Sequence, residues 1–277
     1  MQTGIIDQYS SSSLQDFVDC EKKFELKHLL NIHWPAIKNE PFFINELKTI
    51  QGKRFHHLVH QHQLGIPTEV LNSIATEIGL EHWWQEYLKF IAAQNPTKNH
   101  WPETQIQGPS KDGTKLIARY DLLIRENNGC FLIYDWKTSE FRTSDDMLKN
   151  KIQTRLYPML LCNSGCIFNE NVSIEPKKVK MLYWFTNFPD KPYVLTYSKN
   201  AFQADLHFIE SIIDTIKNKN NSSFEKTTNH KLCNFCIYRS LCDRGVKAGQ
   251  PKNAEEEVGF SNDIFELDLH EIGEIEY

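Results

Sequence analysis

Arg119-Tyr120-Asp121 is followed, fourteen residues after its aspartate, by Asp135 in the run Tyr134-Asp135-Trp136-Lys137-Thr138. Side chains alternate across a strand, so a strand here puts Asp135 and Lys137 on one face and Trp136 on the other. With Asp121 on the preceding strand of a hairpin, the two carboxylates meet at the roughly 5 Å spacing of opposed residues. Carboxylates that close repel, and a shared divalent cation relieves them. Mg²⁺ suits such a site, because it takes few carboxylates and keeps several waters. A cation held there can grip a phosphate oxygen and activate a water for in-line attack. A lysine beside it can orient that water or offset the charge that develops on phosphorus. Solvated strands also alternate Asp and Lys, so these three residues alone leave an ordinary exposed face open.

Further candidates stand on both sides of this pair. Gly52-Lys53-Arg54-Phe55-His56 places an imidazole, a common metal ligand, on an upstream helix. His56, His57, His60 and His62 crowd together there, and His56 shares a helical face with His60, so spacing alone does not choose among them. Gln153 and Tyr157 are four apart on a helix that begins soon after Lys137, where an amide and a phenol can hold a phosphate or a strand backbone. Near the end of the chain, Cys233-x2-Cys236-x5-Cys242 supplies three thiols, and Cys20 is the outlying fourth. Three sulfurs cannot complete a tetrahedral site, and by spacing zinc and an iron–sulfur cluster fit equally well. Cys130, Cys162 and Cys166 read as buried small apolar residues.

The elements that must position these residues follow from periodicity. Leu14, Phe17, Val18 and Phe24 mark a first helix with N-caps at Ser10–Ser13 and a capping box from Ser12 and Gln15. A second helix is expected at about Asn45–Leu64, and a third from Pro67 to before Pro96. In the third, Trp83, Trp84, Tyr87 and Phe90 read as core. Three β-runs follow, Glu103–Gly108, Thr114–Arg125 and Cys130–Lys137, joined by two turn sequences into an antiparallel meander. A helix at about Asp145–Leu161, kinked or shortened by Pro158, precedes strands at Val179–Thr186 and Tyr193–Tyr197 and a helix at about Ala201–Lys217. Residues 218–229 read as a polar linker. The order predicts an α/β core sheet flanked by helices, with an N-terminal helical part.

Composition sets the outer bounds. The chain has 277 residues, 40% hydrophobic and 24% charged, as in ordinary globular proteins. It lacks an apolar run that spans a bilayer and a secretory start, which predicts a cytoplasmic protein with no membrane partner. The net charge is −5, yet nine acids and no Lys or Arg lie between Glu255 and Tyr277, leaving 31 basic against 27 acidic residues elsewhere. That division predicts one domain over residues 1–250 and an acidic tail over 251–277. The tail's acids are interleaved with apolar residues such as Phe265 and Leu267, which suits a loosely docked end, a segment that binds a partner, or one that competes with phosphate for a basic groove.

Together these motifs resemble the RecB-like branch of the PD-(D/E)XK nucleases, which includes AddB-type nuclease domains and CRISPR-associated RecB-like exonucleases. Ser11-Ser12-Ser13-Leu14 through Phe17, Cys20 and Phe24 is similar to that branch's S-x-S-x-L…F-x-x-C-P-x-x-F opening, with Glu21 in place of proline. Gly52 to His56 resembles G-x-x-x-H, which favours His56. Ala118 to Asp121 resembles G-x-x-D with alanine for glycine. Ile133 to Thr138 resembles I-x-D-x-K-T, and Gln153 with Tyr157 resembles Q-x-x-x-Y. The motifs run in family order over about residues 10–245. The resemblance implies a restriction-endonuclease-like core sheet with a C-terminal iron–sulfur segment. It implies hydrolysis of DNA, single-stranded or at duplex ends, by an exonuclease of repair or recombination. His56, Asp121 and Asp135 would hold Mg²⁺ or Mn²⁺. Lys137 would assist the attacking water, Gln153 and Tyr157 would position the strand, and Glu103 stands at an upstream glutamate of many members. Cys20, Cys233, Cys236 and Cys242 would hold a [4Fe–4S] cluster. No G-x-x-x-x-G-K-[ST] loop is present, so unwinding would fall to a helicase partner. CRISPR spacer processing with an adaptation partner and a non-cutting DNA-binding subunit are the alternatives.

Overall fold

The computed structural model describes residues 7–32, 40–94, 99–219, 223–234 and 236–245. The acidic segment 251–277, and with it the expected boundary at residue 250, lies outside the described residues. The strands are β1 (Gln8–Ser10), β2 (His100–Pro109), β3 (Lys115–Arg125), β4 (Phe131–Lys137), β5 (Val179–Phe185) and β6 (Tyr193–Thr196). They form one mixed six-stranded sheet. The expected meander is present, since β2 and β4 both run antiparallel to β3. β5 is parallel to β4, and β6 antiparallel to β5. Three-residue β1, too short to show a period, pairs in parallel with the start of β3.

Helices cover both faces, so a central strand such as β4 is apolar on each side. Phe131 and Ile133 point into a core shared with α1 (Ser11–Asp19), α7 (Ile152–Ser164) and α8 (Lys199–Asn218). Tyr134 and Trp136 point into a second core built by α3 (Glu40–Gln63), α4 (Thr68–Glu77) and α5 (Glu81–Gln94). Trp84 and Tyr87 are fully buried there, with Trp83 and Phe90 packed against them, in agreement with the core assignment. On the first face Gly108 of β2 meets α7 so closely that a Cβ would lie 2.0 Å from Ser164 Oγ. No helix is long and apolar enough to cross a membrane among the described residues.

Several boundaries differ from expectation for local reasons. The capping box of α1 joins Ser10 and Ser13, not Ser12 and Gln15, because β1 carries extended backbone up to Ser10. Val18 is exposed and leaves the apolar face to Leu14 and Phe17. Extended Cys20 separates α1 from the short α2 (Glu21–Phe24). The single helix expected after Pro67 is two, divided at Gly79, whose φ of +72° ends a helix at no steric cost. The helix expected at 145–161 is also two, α6 (Asp145–Asn150) and α7, divided at extended Lys151. Pro158 sits inside α7 without ending it, since Leu156, Met159, Leu160 and Leu161 are fully buried and their packing outweighs one lost hydrogen bond. Cys166 is exposed and Cys130 and Cys162 are half-buried, a correction to the buried assignment.

Candidate active site

β3 holds the site because its pairing changes partway along. β2 lies along one edge, from Lys115 to Ile124. The other edge is shared, with β1 at Lys115–Ile117 and β4 at Leu122–Arg125. The last β3–β4 pair is Leu122 with Tyr134. One step further, where Asp121 would face Asp135, the strands part and β4 continues beside β5 alone. The Asp121 carboxylate bridges the fork, its Oδ2 accepting from the Trp136 N–H at 2.7 Å. The alternation of β3 also changes phase there. Tyr120 joins the α7-side core and Leu122 the opposite one, although residues two apart on a regular strand share a face. Opposite the distortion, Glu103 of β2 has a φ of +46°.

That left-handed backbone aims the Glu103 carboxylate inward. One ligand atom from each of His56, Glu103 and Asp121 lies within 4.8 Å of the other two. His56 comes from α3 on the far side of the sheet. Its Nε2 lies 3.1 Å from the Trp136 carbonyl oxygen, which can only accept, so Nε2 carries a proton. Its Nδ1 faces Asp121 Oδ1 at 3.4 Å. In the neutral ring that nitrogen keeps its lone pair, as a ligand needs. Burial would lower the His56 pKa, but the Asp121 charge and hydrogen bond and the Glu103 charge push it up to about 9. Burial and the Asp121 charge push Glu103 up to about 7, although Arg119 Nε donates to it at 2.9 Å. Once the His56 and Glu103 protons are displaced, the converging imidazole and two carboxylates match the donor set of a hard divalent cation.

Asp135, expected as the third ligand of this group, is engaged differently. Its Oδ2 lies 2.8 Å from Lys137 Nζ, on the same strand face, and its Oδ1 accepts from Gln153 Nε2 at 2.6 Å. Lys137 Nζ also donates to Gln153 Oε1 at 3.2 Å. Gln153 thus fixes the mutual placement of both charges from the first turn of α7. Tyr157, one turn on, is buried with its ring edge-on to Tyr120. The structure therefore groups His56, Asp121 and Glu103 on one side of the fork, and Asp135, Lys137 and Gln153 on the other. Sequence reasoning missed the backbone of Trp136, whose N–H and carbonyl hold Asp121 and His56, because backbone groups leave no trace in residue type.

The four cysteines converge as well. Cys20, Cys233, Cys236 and Cys242 line one small pocket, with Lys23, Lys226, Arg239 and Arg244 beside them. Burial pushes the Cys236 thiol up to about 11, and raises Cys233 and Cys242. A metal held by these thiols would have to supply the driving force for ionising Cys233, Cys236 and Cys242, helped by the cationic lining. Lys23 is itself held in place by Asp16 Oδ1 at 2.6 Å. Burial alone would raise the Asp16 pKa, but Lys23, His28 and Lys27 hold it well below the usual carboxylate range. Among the described residues, His56, Glu103 and Asp121 form the one group of three or more ligand-type residues gathered within 4.8 Å.

Comparison with known proteins bears on the whole of this arrangement. The model of the PD-(D/E)XK nuclease superfamily matches residues 8–243. Two solved structures overlap with the chain at low identity. One is the crystal structure of SSO0001, with 15% identity over 87% of this chain and 88% of that one and a TM-score of 0.41. The other is an exonuclease candidate from Eubacterium rectale, with 14% identity over 92% of this chain and 94% of that one and a TM-score of 0.47. No curated protein matches. The family match begins in β1, takes in the strand fork with its carboxylates, and runs past the last cysteine, and on that span the chain belongs to the PD-(D/E)XK nuclease superfamily.

Proposed function

We propose that this chain is a divalent-metal-dependent deoxyribonuclease, working as an exonuclease on single strands or duplex ends in cytoplasmic DNA repair or recombination. The carrying observation is the fork at Leu122 and Tyr134, where His56, Glu103 and Asp121 converge beside the Asp135–Lys137–Gln153 group. His56, Asp121 and Glu103 would hold Mg²⁺ or Mn²⁺, with Asp135 at its border. The ion would polarise a phosphate oxygen and make a bound water acidic enough to attack. Lys137, paired with Asp135, is placed to orient that water and to offset charge on the phosphate. Gln153 holds Lys137 and Asp135 in register, and Tyr157 backs that turn against β3.

A [4Fe–4S] cluster on Cys20, Cys233, Cys236 and Cys242 is the second part of the reading. The reading is supported by four thiols from the two ends of the chain lining one pocket, as a single four-thiolate centre requires. End-labelled single- and double-stranded DNA, incubated with Mg²⁺, Mn²⁺ or EDTA, tests the enzyme. Metal-dependent release of label is expected, with none in EDTA. Binding without cleavage under every metal would favour a non-cutting subunit. Brown absorbance of the purified protein, absent with zinc, tests the cluster.

A further inference from the structure

The first turn of α7 is held from outside the helix. Its N-cap residue, Lys151, supplies no side-chain cap. Instead the Ile152 N–H donates to Oε1 of Gln15 on α1, 137 positions earlier in the chain, at 3.0 Å. Gln15 Nε2 donates to Asp19 Oδ1 at 2.9 Å. That second bond fixes the amide's orientation, because the carboxylate accepts and the backbone N–H donates. The next residue after Ile152 is Gln153, which bonds both Asp135 and Lys137. On the sheet side of the same turn, Thr154 Oγ1 lies 2.7 Å from the Tyr183 hydroxyl. The turn is therefore pinned from two sides, and Gln15 is the pin contributed by the N-terminal helix.

We propose that Gln15 is a positioning residue for phosphodiester cleavage, setting the placement of Gln153 against Asp135 and Lys137 by capping α7. The proposal rests on the nuclease reading above. α7 follows a break at extended Lys151, so no preceding helical turn supplies a partner for the Ile152 N–H. Gln15 satisfies that N–H with an oxygen at the positive end of the helix, where an acceptor is favoured. Gln15 lies on α1 five residues before Cys20, the extended residue that follows the helix, so α1 also joins the cysteine pocket to the catalytic turn.

Gln15→Leu keeps the volume and removes both hydrogen bonds. The variant is expected to lower kcat about ten- to a hundred-fold, with KM for DNA changed less than about two-fold. Hydrogen exchange at the Ile152 amide should accelerate. The double variant Gln15→Glu/Asp19→Asn restores an acceptor for Ile152 and reverses the donor of the Gln15–Asp19 pair, and it should regain most of kcat. In a Gln153→Ala background, Gln15→Leu should cause no further loss, because its effect passes through Gln153. Wild-type kcat in Gln15→Leu, or an equal loss in the Gln153→Ala background, overturns the proposal, as does failure of the double variant to recover. Wild-type protein that does not cleave overturns the nuclease reading and takes this proposal with it. Wild-type cleavage beside an unaffected Gln15→Leu overturns this proposal alone.

Discussion

Glu103 carries both an unusual backbone and an unusual charge. A left-handed conformation costs a residue with a Cβ of the order of 1–3 kcal/mol, and here it aims a carboxylate at Asp121 and His56. Burial and Asp121 push its pKa up to about 7 from 4.5, so the fold disfavours its charged form. The resulting cost to the metal-free protein begins above pH 4.5, grows as pH rises, and is complete above about 7. Glu103→Gln should therefore raise the Tm of the metal-free protein at pH 8, by an amount that vanishes by pH 4.5. The same variant should weaken Mn²⁺ binding at least about ten-fold, since one ligand charge is lost. A lower Tm at pH 8 with unchanged Mn²⁺ affinity would contradict this account of the residue. Asp135→Asn and Lys137→Met should each cut kcat by roughly 10³-fold or more, judged by the cost of removing a preorganised charge. Far-ultraviolet circular dichroism should remain native, and near wild-type cleavage in either variant would remove it from the catalytic group.

At the scale of elements, strands that alternate or run apolar were legible, and so were their turns. Two helices were misjudged because periodicity continues across a break. Gly79 and Lys151 each interrupt a helix without disturbing the apolar pattern on either side. Site residues were legible as types at spacings, with Asp121, Asp135 and Lys137 on their strands and His56 on its helix. Their grouping was not, since it depends on where β3 and β4 part and on the phase change beside Glu103. Gln15 was read as capping its own helix, and a contact across 137 positions has no local signature. The cysteines required the fold to bring α1 beside the segment after α9 (His230–Cys233). Cys20→Ala and Cys236→Ala should each lose iron, measured by elemental analysis, and lower Tm together, because metal binding is folding energy when its ligands lie far apart in the chain. A Cys20→Ala protein with full brown absorbance would remove that thiol from the ligand set.

For the whole molecule, charge is divided along the chain, with nine acids from Glu255 onward and a net basic remainder. Deleting residues 254–277 tests whether the acidic segment competes with phosphate. Competition predicts tighter binding of single-stranded DNA at low salt that converges with wild type as screening grows, over a Debye length of about 10 Å at 0.1 M. Equal affinity at every salt would leave only the docked-end or partner-binding reading. The central claim is that the strand fork holds the cation that cuts DNA. One titration joins both halves of that claim, with Mn²⁺ added to wild-type and Asp121→Asn protein while bound metal is followed by electron paramagnetic resonance and cleavage of end-labelled DNA is read from the same samples. Wild type should bind Mn²⁺ and begin to cleave over the same concentration range, and Asp121→Asn should lose both. Cleavage by Asp121→Asn at the wild-type rate, or cleavage by wild type without bound metal, would contradict the account.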